Sequence, residues 1–324
     1  MAATWEPEAM LSAVRAAARS AAQGDYSSGR RPPHAFGVRA VGTFTPNRTA
    51  RRFGATVFQS SHTDVEVRFS VTGGGVEGRD NGENNLGLAV RFASGGDLVA
   101  VNIALFPVHD PGDFPTFLDQ VKSSDRWGTT EQYLQHHPES IMPVIAYGRS
   151  RRRGRAASFG ETTYHGNHAF WLAPSASSTA STRETLVRYH WQPAAGDNAG
   201  LSWDDPQREL GVELTKRLAA ECVRFTLVLD VAGLAQRADD PSEFWPETLE
   251  RLIVGELVLT AILDEGGAND GEHSFPAFRP DRPPIGWRAD DGDEVMKARA
   301  VVYAGAARDR EASAQGPTSV SVPS

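Results

Sequence analysis

The stretch Asp64–Thr72 alternates apolar and polar residues, with Val65, Val67 and Phe69 on one side. A period of two marks a half-buried strand. Ala35–Thr45, Gly54–Ser60, Leu86–Phe92 and Leu98–Phe106 are also strand-like, and Gly, Asn and Asp clusters separate them. Further strands are read at Ser158–Tyr164, His168–Leu172, Thr185–Trp191, Val223–Asp230 and Arg251–Leu263. Helices are read at Glu8–Gln23, Asp113–Val121, Thr130–His137, Gln207–Ala219 and Asp293–Asp309. A dominant run of antiparallel-type strands, with helices around and after it, predicts an α+β fold built on an antiparallel β-barrel. Neither an internal repeat nor a convincing linker divides the chain. The expected organisation is an N-terminal helix and loop over 1–29, one main domain over 30–310, and a small, polar, disordered tail over 311–324.

Composition narrows the function. The net charge of −8 argues against a nucleic-acid partner and suits a neutral or small substrate. No apolar run reaches about 18 residues, so no membrane span is expected. Glu6 and Glu8 stand where a secretory signal would be apolar. A cytoplasmic location follows by default. The single cysteine, Cys222, excludes an internal disulfide and reads as a small buried hydrophobe.

Several motifs have a plain structural reading. Gly73 to Gly78 fits G-x-G-x-x-G, but Arg79 to Asn85 is turn chemistry and opens no helix. A dinucleotide fingerprint needs that helix, so the segment reads as a loop between strands. His165 and His168 share a strand-like stretch, where i, i+3 spacing puts them on opposite faces. His136 and His137 end a helix, where histidines complement the helix dipole. The basic run Arg149, Arg151, Arg152, Arg153 and Arg155 reads as a solvated loop.

Two constellations carry more. Arg299 and Tyr303 are four residues apart and share a helix face. An arginine beside a phenol favours the phenolate, and tyrosine is an axial ligand for haem iron. Arg310 lies two turns farther along the same face. At the other end of the chain, Arg31-Pro32-Pro33-His34-Ala35-Phe36-Gly37 leads into a strand that reaches Gly42-Thr43-Phe44-Thr45, with His34 at the strand edge. The prolines hold the entry extended.

These residues carry a family resemblance. Arg31-x-x-His34-Ala35-x-Gly37 followed by Gly42-Thr43-Phe44 resembles the distal-histidine segment of haem catalases. Val67-Arg68-Phe69-Ser70, Asp97-Leu98-Val99 through Phe106, Asp110-Pro111 and Phe114-Pro115-x-Phe117 resemble the stretches that follow it. Trp245-Pro246 with Gly255–Leu263, and Arg299-x-x-x-Tyr303 with Arg310, resemble the segments up to the proximal haem helix. The order is unbroken over roughly residues 30–310, and the short length is most similar to the small catalase-related peroxidases.

The resemblance implies a barrel with surrounding helices that enclose a b-type haem (heme b). Tyr303 would be the fifth iron ligand, held as phenolate by Arg299. His34 would be the distal acid and base, oriented by Ser70. Arg31, Arg68 and Arg310 would pair with the propionates, and Phe114 would stack on the haem. Ungapped, the family's distal asparagine falls on Val101 and its neighbour on Asn102, which makes Asn102 the candidate catalytic amide. Val101 weighs against fast dismutation of hydrogen peroxide. Ala304 and His109 are further departures, at positions usually held by proline and arginine.

The expected function is a haem peroxidase that reduces organic peroxides or hydrogen peroxide with an external electron donor. A true small catalase and a non-catalytic haem-binding barrel are the alternatives, and rearrangement of fatty-acid hydroperoxides ranks below them. A monomer or homodimer is expected, because the family's long N-terminal arm has no counterpart.

Overall fold

A computed structural model describes residues 5–21, 34, 36–71, 85–122, 127–154, 158–176, 183–194, 210–263 and 277–314. The order of elements is α1 (Pro7–Ala21), β1 (Phe36–Pro46), α2 (Thr56–Gln59), β2 (Thr63–Val71), β3 (Leu86–Phe92), β4 (Asp97–Val101), α3 (Phe114–Phe117), α4 (Trp127–His136), α5 (Ile141–Gly154), β5 (Tyr164–Leu172), β6 (Thr185–Pro193), α6 (Leu210–Ala220), β7 (Val223–Val231), β8 (Arg251–Ile262), β9 (Trp287–Ala289) and α7 (Glu294–Ala314). The strands pair antiparallel in the order β4-β3-β2-β1-β8-β7-β6-β5, and β4 pairs back to β5. That pairing closes an eight-stranded barrel, with β9 appended to β5.

An eight-stranded barrel is just wide enough for side chains to fill it, and here they do. Phe44, Phe69, Phe92, Trp191 and Phe225 are all buried inside one apolar core with Val67, Leu88, Val90 and Leu257. Phe44 meets Phe92 and Trp191 edge-on, at centroid distances of 5.6 and 6.0 Å. Gly42 marks the point where β1 shifts register against β8. A Cβ at Gly42 would stand 2.0 Å from the Val258 carbonyl oxygen, so the close approach of the two strands requires glycine.

Because the interior is full, any site lies on the outside of the wall. Strand alternation selects the outward residues. On β2, Val67 and Phe69 point in while Arg68 and Ser70 point out. On β3 and β4, Leu88 and Ala100 join the core, and Gly87, Ala89, Val99 and Val101 face outward. Cross-strand register lines these up. Ser70, Gly87 and Val101 form one row across three strands, and Arg68, Ala89 and Val99 form the next.

The structure corrects several expectations. Gly54–Ser60 holds the short helix α2 rather than a strand, β4 ends at Val101, and β5 begins at Tyr164, after a 3₁₀ turn at Phe159–Glu161. Arg149 to Arg153 lie in α5, not in a loop, while Arg155 is outside the described residues. α7 runs to Ala314, four residues into the segment expected as a tail. Cys222 is exposed at the bend between α6 and β7 rather than buried. The glycine run at Gly73 to Gly78 lies outside the described residues. Among the described residues, no helix is long and apolar enough to cross a membrane.

Candidate active site

α7 lies against the outer face of β2–β4, and a slot remains between them. One lobe is lined by His34, Val101, Phe106, Phe114, Arg299 and Tyr303 among others. A second, smaller lobe is lined by His34, Arg68, Ser70, Val101, Tyr303 and Arg310 among others. His34, Val101, Val302 and Tyr303 border both, so the lobes adjoin at one centre.

The barrel side of the slot is built around His34. Ser70 Oγ lies 3.0 Å from His34 Nδ1, and Arg68 Nη2 donates to the His34 carbonyl at 3.1 Å. Two glycines make these contacts possible. A Cβ at Gly87 would stand 2.6 Å from Ser70 Oγ and 3.2 Å from His34 Cε1. A Cβ at Gly37 would stand 2.3 Å from Arg68 Cζ. The motif glycine therefore gives the Arg68 guanidinium its place, and Arg68 is buried there.

The helix side is a stripe at helical spacing: Arg299, Tyr303, Ala306 and Arg310. Arg299 Nη2 donates to the Tyr303 hydroxyl oxygen over a long 3.4 Å. The Arg299 guanidinium also sits 5.7 Å from the Phe106 ring centroid. Arg310 is buried and donates from Nη1 to the Ala306 carbonyl at 3.0 Å.

The start of α7 is anchored by a pair that the sequence reading left apart. Asp293 Oδ1 accepts from the Met296 backbone N–H at 2.8 Å, the bond of a helix N-cap. Its Oδ2 lies 2.6 Å from His168 Nδ1, and both residues are buried. Burial pushes the His168 imidazole below its usual range, the neighbouring Asp293 carboxylate opposes that, and Arg299 adds to the lowering. His168 Nε2 has no hydrogen-bond partner among the described residues. The sequence signal was present in part, since an aspartate just before a helical run is a capping residue. No local pattern ties it to His168, 125 residues away.

The predicted residues do not all gather. His34, Ser70, Arg68, Phe114, Arg299, Tyr303 and Arg310 border the slot. Asn102 lines neither lobe. Its Oδ1 accepts from the Leu86 N–H at 3.0 Å, on the β3 side of the wall. Val101 stands at the shared centre instead. Two buried amides that the sequence reading passed over, Asn85 and Asn167, line the large lobe. Asn167 Nδ2 is engaged by the Ile103 carbonyl at 2.8 Å. Asn85 lies just before β3, two residues from Gly87, and lines the large lobe together with His34. Arg31 lies outside the described residues.

The slot suits a flat apolar group with an anionic edge. Its large lobe is walled by Phe106, Phe114, Ile103, Leu105 and Val302, and its smaller lobe carries the guanidiniums of Arg68 and Arg310. An imidazole and a phenol face the shared centre from opposite walls. A haem, with its apolar macrocycle, carboxylate arms and central iron, fits that donor set.

The sequence profile of the Catalase family matches residues 28–217. A catalase-related peroxidase of Mycolicibacterium paratuberculosis is 30% identical, over 94% of this chain and 94% of the relative. A catalase-related peroxidase of Synechococcus elongatus is 24% identical, over 77% of this chain and 76% of the relative. Among solved structures, a fungal catalase superposes with a TM-score of 0.70 at 23% identity, covering 87% of this chain and 59% of its own. Catalase A from Saccharomyces cerevisiae gives 0.71 at 21% identity, over 87% and 61%. The fold is therefore that of much longer catalases, while the full-length match is to a protein of similar size. The chain belongs to the catalase family, in its group of small catalase-related peroxidases.

Proposed function

We propose that the chain is a haem peroxidase that reduces organic peroxides or hydrogen peroxide with an external electron donor. The observation that carries this reading is the shared centre of the two lobes, where His34 on the barrel faces Tyr303 on α7. A haem b held there would supply an iron that takes two oxidising equivalents from a peroxide.

The protein's part is position and proton handling. Tyr303 would bind the iron, and Arg299 places positive charge beside its oxygen. Arg68 and Arg310 would meet the propionates, since guanidinium matches carboxylate geometry. His34 would accept the proton from the near peroxide oxygen and return it to the departing one. Ser70 holds the ring through Nδ1, and Nε2 would do that work. Phe106 and Phe114, stacked at 5.7 Å, give the large lobe an apolar wall. That lobe favours an alkyl or aryl hydroperoxide over a strongly hydrated substrate.

Val101 supports the peroxidase reading over a fast catalase. It puts an apolar side chain at the centre, and Asn102 is occupied by the Leu86 N–H. Haem reconstitution followed by absorption spectroscopy tests the proposal. A Soret band that Tyr303→Phe alters, and peroxide consumption that needs a donor and His34, are expected. A chain that takes up no haem, or evolves oxygen rapidly without a donor, would sink it.

A further inference from the structure

A cluster of ligand-type side chains stands beside the slot and takes no part in it. Asp113 precedes α3, and His137 and Glu139 occupy the junction between α4 and α5. Their donor atoms lie within 4.8 Å of one another. His137 Nδ1 is 3.4 Å from Asp113 Oδ2 and 3.4 Å from Glu139 Oε1. Ordinary N–H···O bonds are shorter, about 2.7–3.2 Å. Ligands about 2.1 Å from a shared first-row divalent ion are separated by about 3.0–3.4 Å, for octahedral and tetrahedral geometry.

Two carboxylates with one imidazole suit manganese among the redox-active divalent ions, because hard oxygen ligands dominate. Glu139 is exposed and leaves the ion open to solvent.

The cluster is joined to the slot by rings. His137 stacks on Tyr133 at 4.5 Å, and Tyr133 meets Phe117 at 6.1 Å. Phe117 stacks on Phe114 at 6.1 Å, and Phe114 on Phe106 at 5.7 Å. Phe106 lies under Arg299, whose hydrogen bond reaches Tyr303. We propose that Asp113, His137 and Glu139 bind a divalent transition-metal ion, and that manganese(II) held there donates electrons to the slot along this series of rings. The site answers which donor the peroxidase uses, and its donor role rests on that reading. The balance is ROOH + 2 Mn²⁺ + 2 H⁺ → ROH + H₂O + 2 Mn³⁺. Each manganese loses one electron, the O–O bond takes both electrons, and the two oxygens leave as alcohol and water.

The experiment titrates manganese(II) into the haem-loaded full chain and follows the electron paramagnetic resonance signal of the free ion. Saturable binding is expected, weakened at least tenfold in the double variant Asp113→Asn/Glu139→Gln, and to a smaller degree in Glu139→Gln alone. With manganese(II) as sole donor, peroxide should yield manganese(III), trapped by malonate and read by absorbance. The double variant should lose that reaction at least tenfold yet still oxidise a phenolic dye. An unchanged affinity in the double variant, or no saturable binding, overturns the site. Binding without manganese(III), while the dye is oxidised, overturns the donor role. Binding with no turnover by any donor overturns the peroxidase reading and the donor role with it, and leaves the metal site standing.

Discussion

Ser70 Oγ lies 3.0 Å from His34 Nδ1, in the space left by the missing side chain of Gly87. This contact sets the orientation of the imidazole and the nitrogen it turns to the slot. General acid–base catalysis is worth about 10²–10⁴-fold, so His34→Ala should slow the reaction of haem-loaded protein with peroxide by about that factor. Ser70→Ala should cost about tenfold, because the ring remains but loses its anchor. Gly87→Ala should resemble Ser70→Ala, since its Cβ displaces the same pair. Stopped-flow absorbance reads all three. Normal rates in Gly87→Ala would show that the ring position does not matter.

Asn85 is expected to assist ligands on the barrel side of the slot. It is a buried amide that lines the large lobe together with His34, and Asn167 donates to the Ile103 carbonyl. Asn85→Leu should weaken cyanide binding to the haem-loaded protein by about tenfold, the value of one hydrogen bond of about 1.4 kcal/mol. Asn167→Leu should instead lower the melting temperature. A cyanide affinity untouched by Asn85→Leu removes this role.

Asp293 ties the start of α7 to His168. Removing a capping aspartate costs about 0.5–2 kcal/mol, and here the same carboxylate also meets a buried imidazole. Asp293→Ala should exceed the upper end of that range in denaturant unfolding. It should also perturb the haem spectrum through Arg299, about one and two-thirds turns along. A loss below about 0.5 kcal/mol would show that the pair is not supporting the helix.

His168 makes stability fall in mild acid. Its folded pKa is below the usual value, first because of burial and then, against the pull of Asp293, because of Arg299 and Arg188. As pH drops below the unfolded value of about 6.5, the unfolded chain takes up a proton that the folded chain refuses. This contribution is therefore intact above that pH and lost as pH falls toward the folded pKa. Melting temperature against pH should slope downward from about 6.5 in the parent and less steeply in His168→Gln. Parallel curves would exclude His168 as the source.

α1 closes the large lobe through one notch. Leu11 packs where a Cβ at Gly305 would stand 2.5 Å from its Cδ2, and Arg15 pairs with Asp309 at 2.7 Å. Leu11→Ala should cost about 2–5 kcal/mol, the range for emptying a buried leucine site. Gly305→Val should displace α1 and expose the lobe walls formed by Met10 and Val14, raising binding of an apolar fluorescent dye. Unchanged dye binding would show that α1 does not seal the lobe.

Much of this protein was legible in its sequence. The alternation of Asp64–Thr72 became β2, with Val67 and Phe69 in the core and Arg68 and Ser70 on the outer face. Arg299 and Tyr303 fell on one helix face, as four-residue spacing requires. These are short-range relations, set by strand and helix periodicity. Only the tertiary structure decided that Val101, not Asn102, stands at the centre, because β-pairing with Gly87 turned one residue out and left the other to cap Leu86. It also decided that the basic run after Gly148 is helical, and that Asp293 meets His168 rather than solvent. The physical reason is register. Side-chain direction along a strand or helix is written locally, but which outward residue meets which partner depends on pairings between segments, from the neighbouring strands that join Gly87 to Val101 to the 125 residues that separate His168 from Asp293.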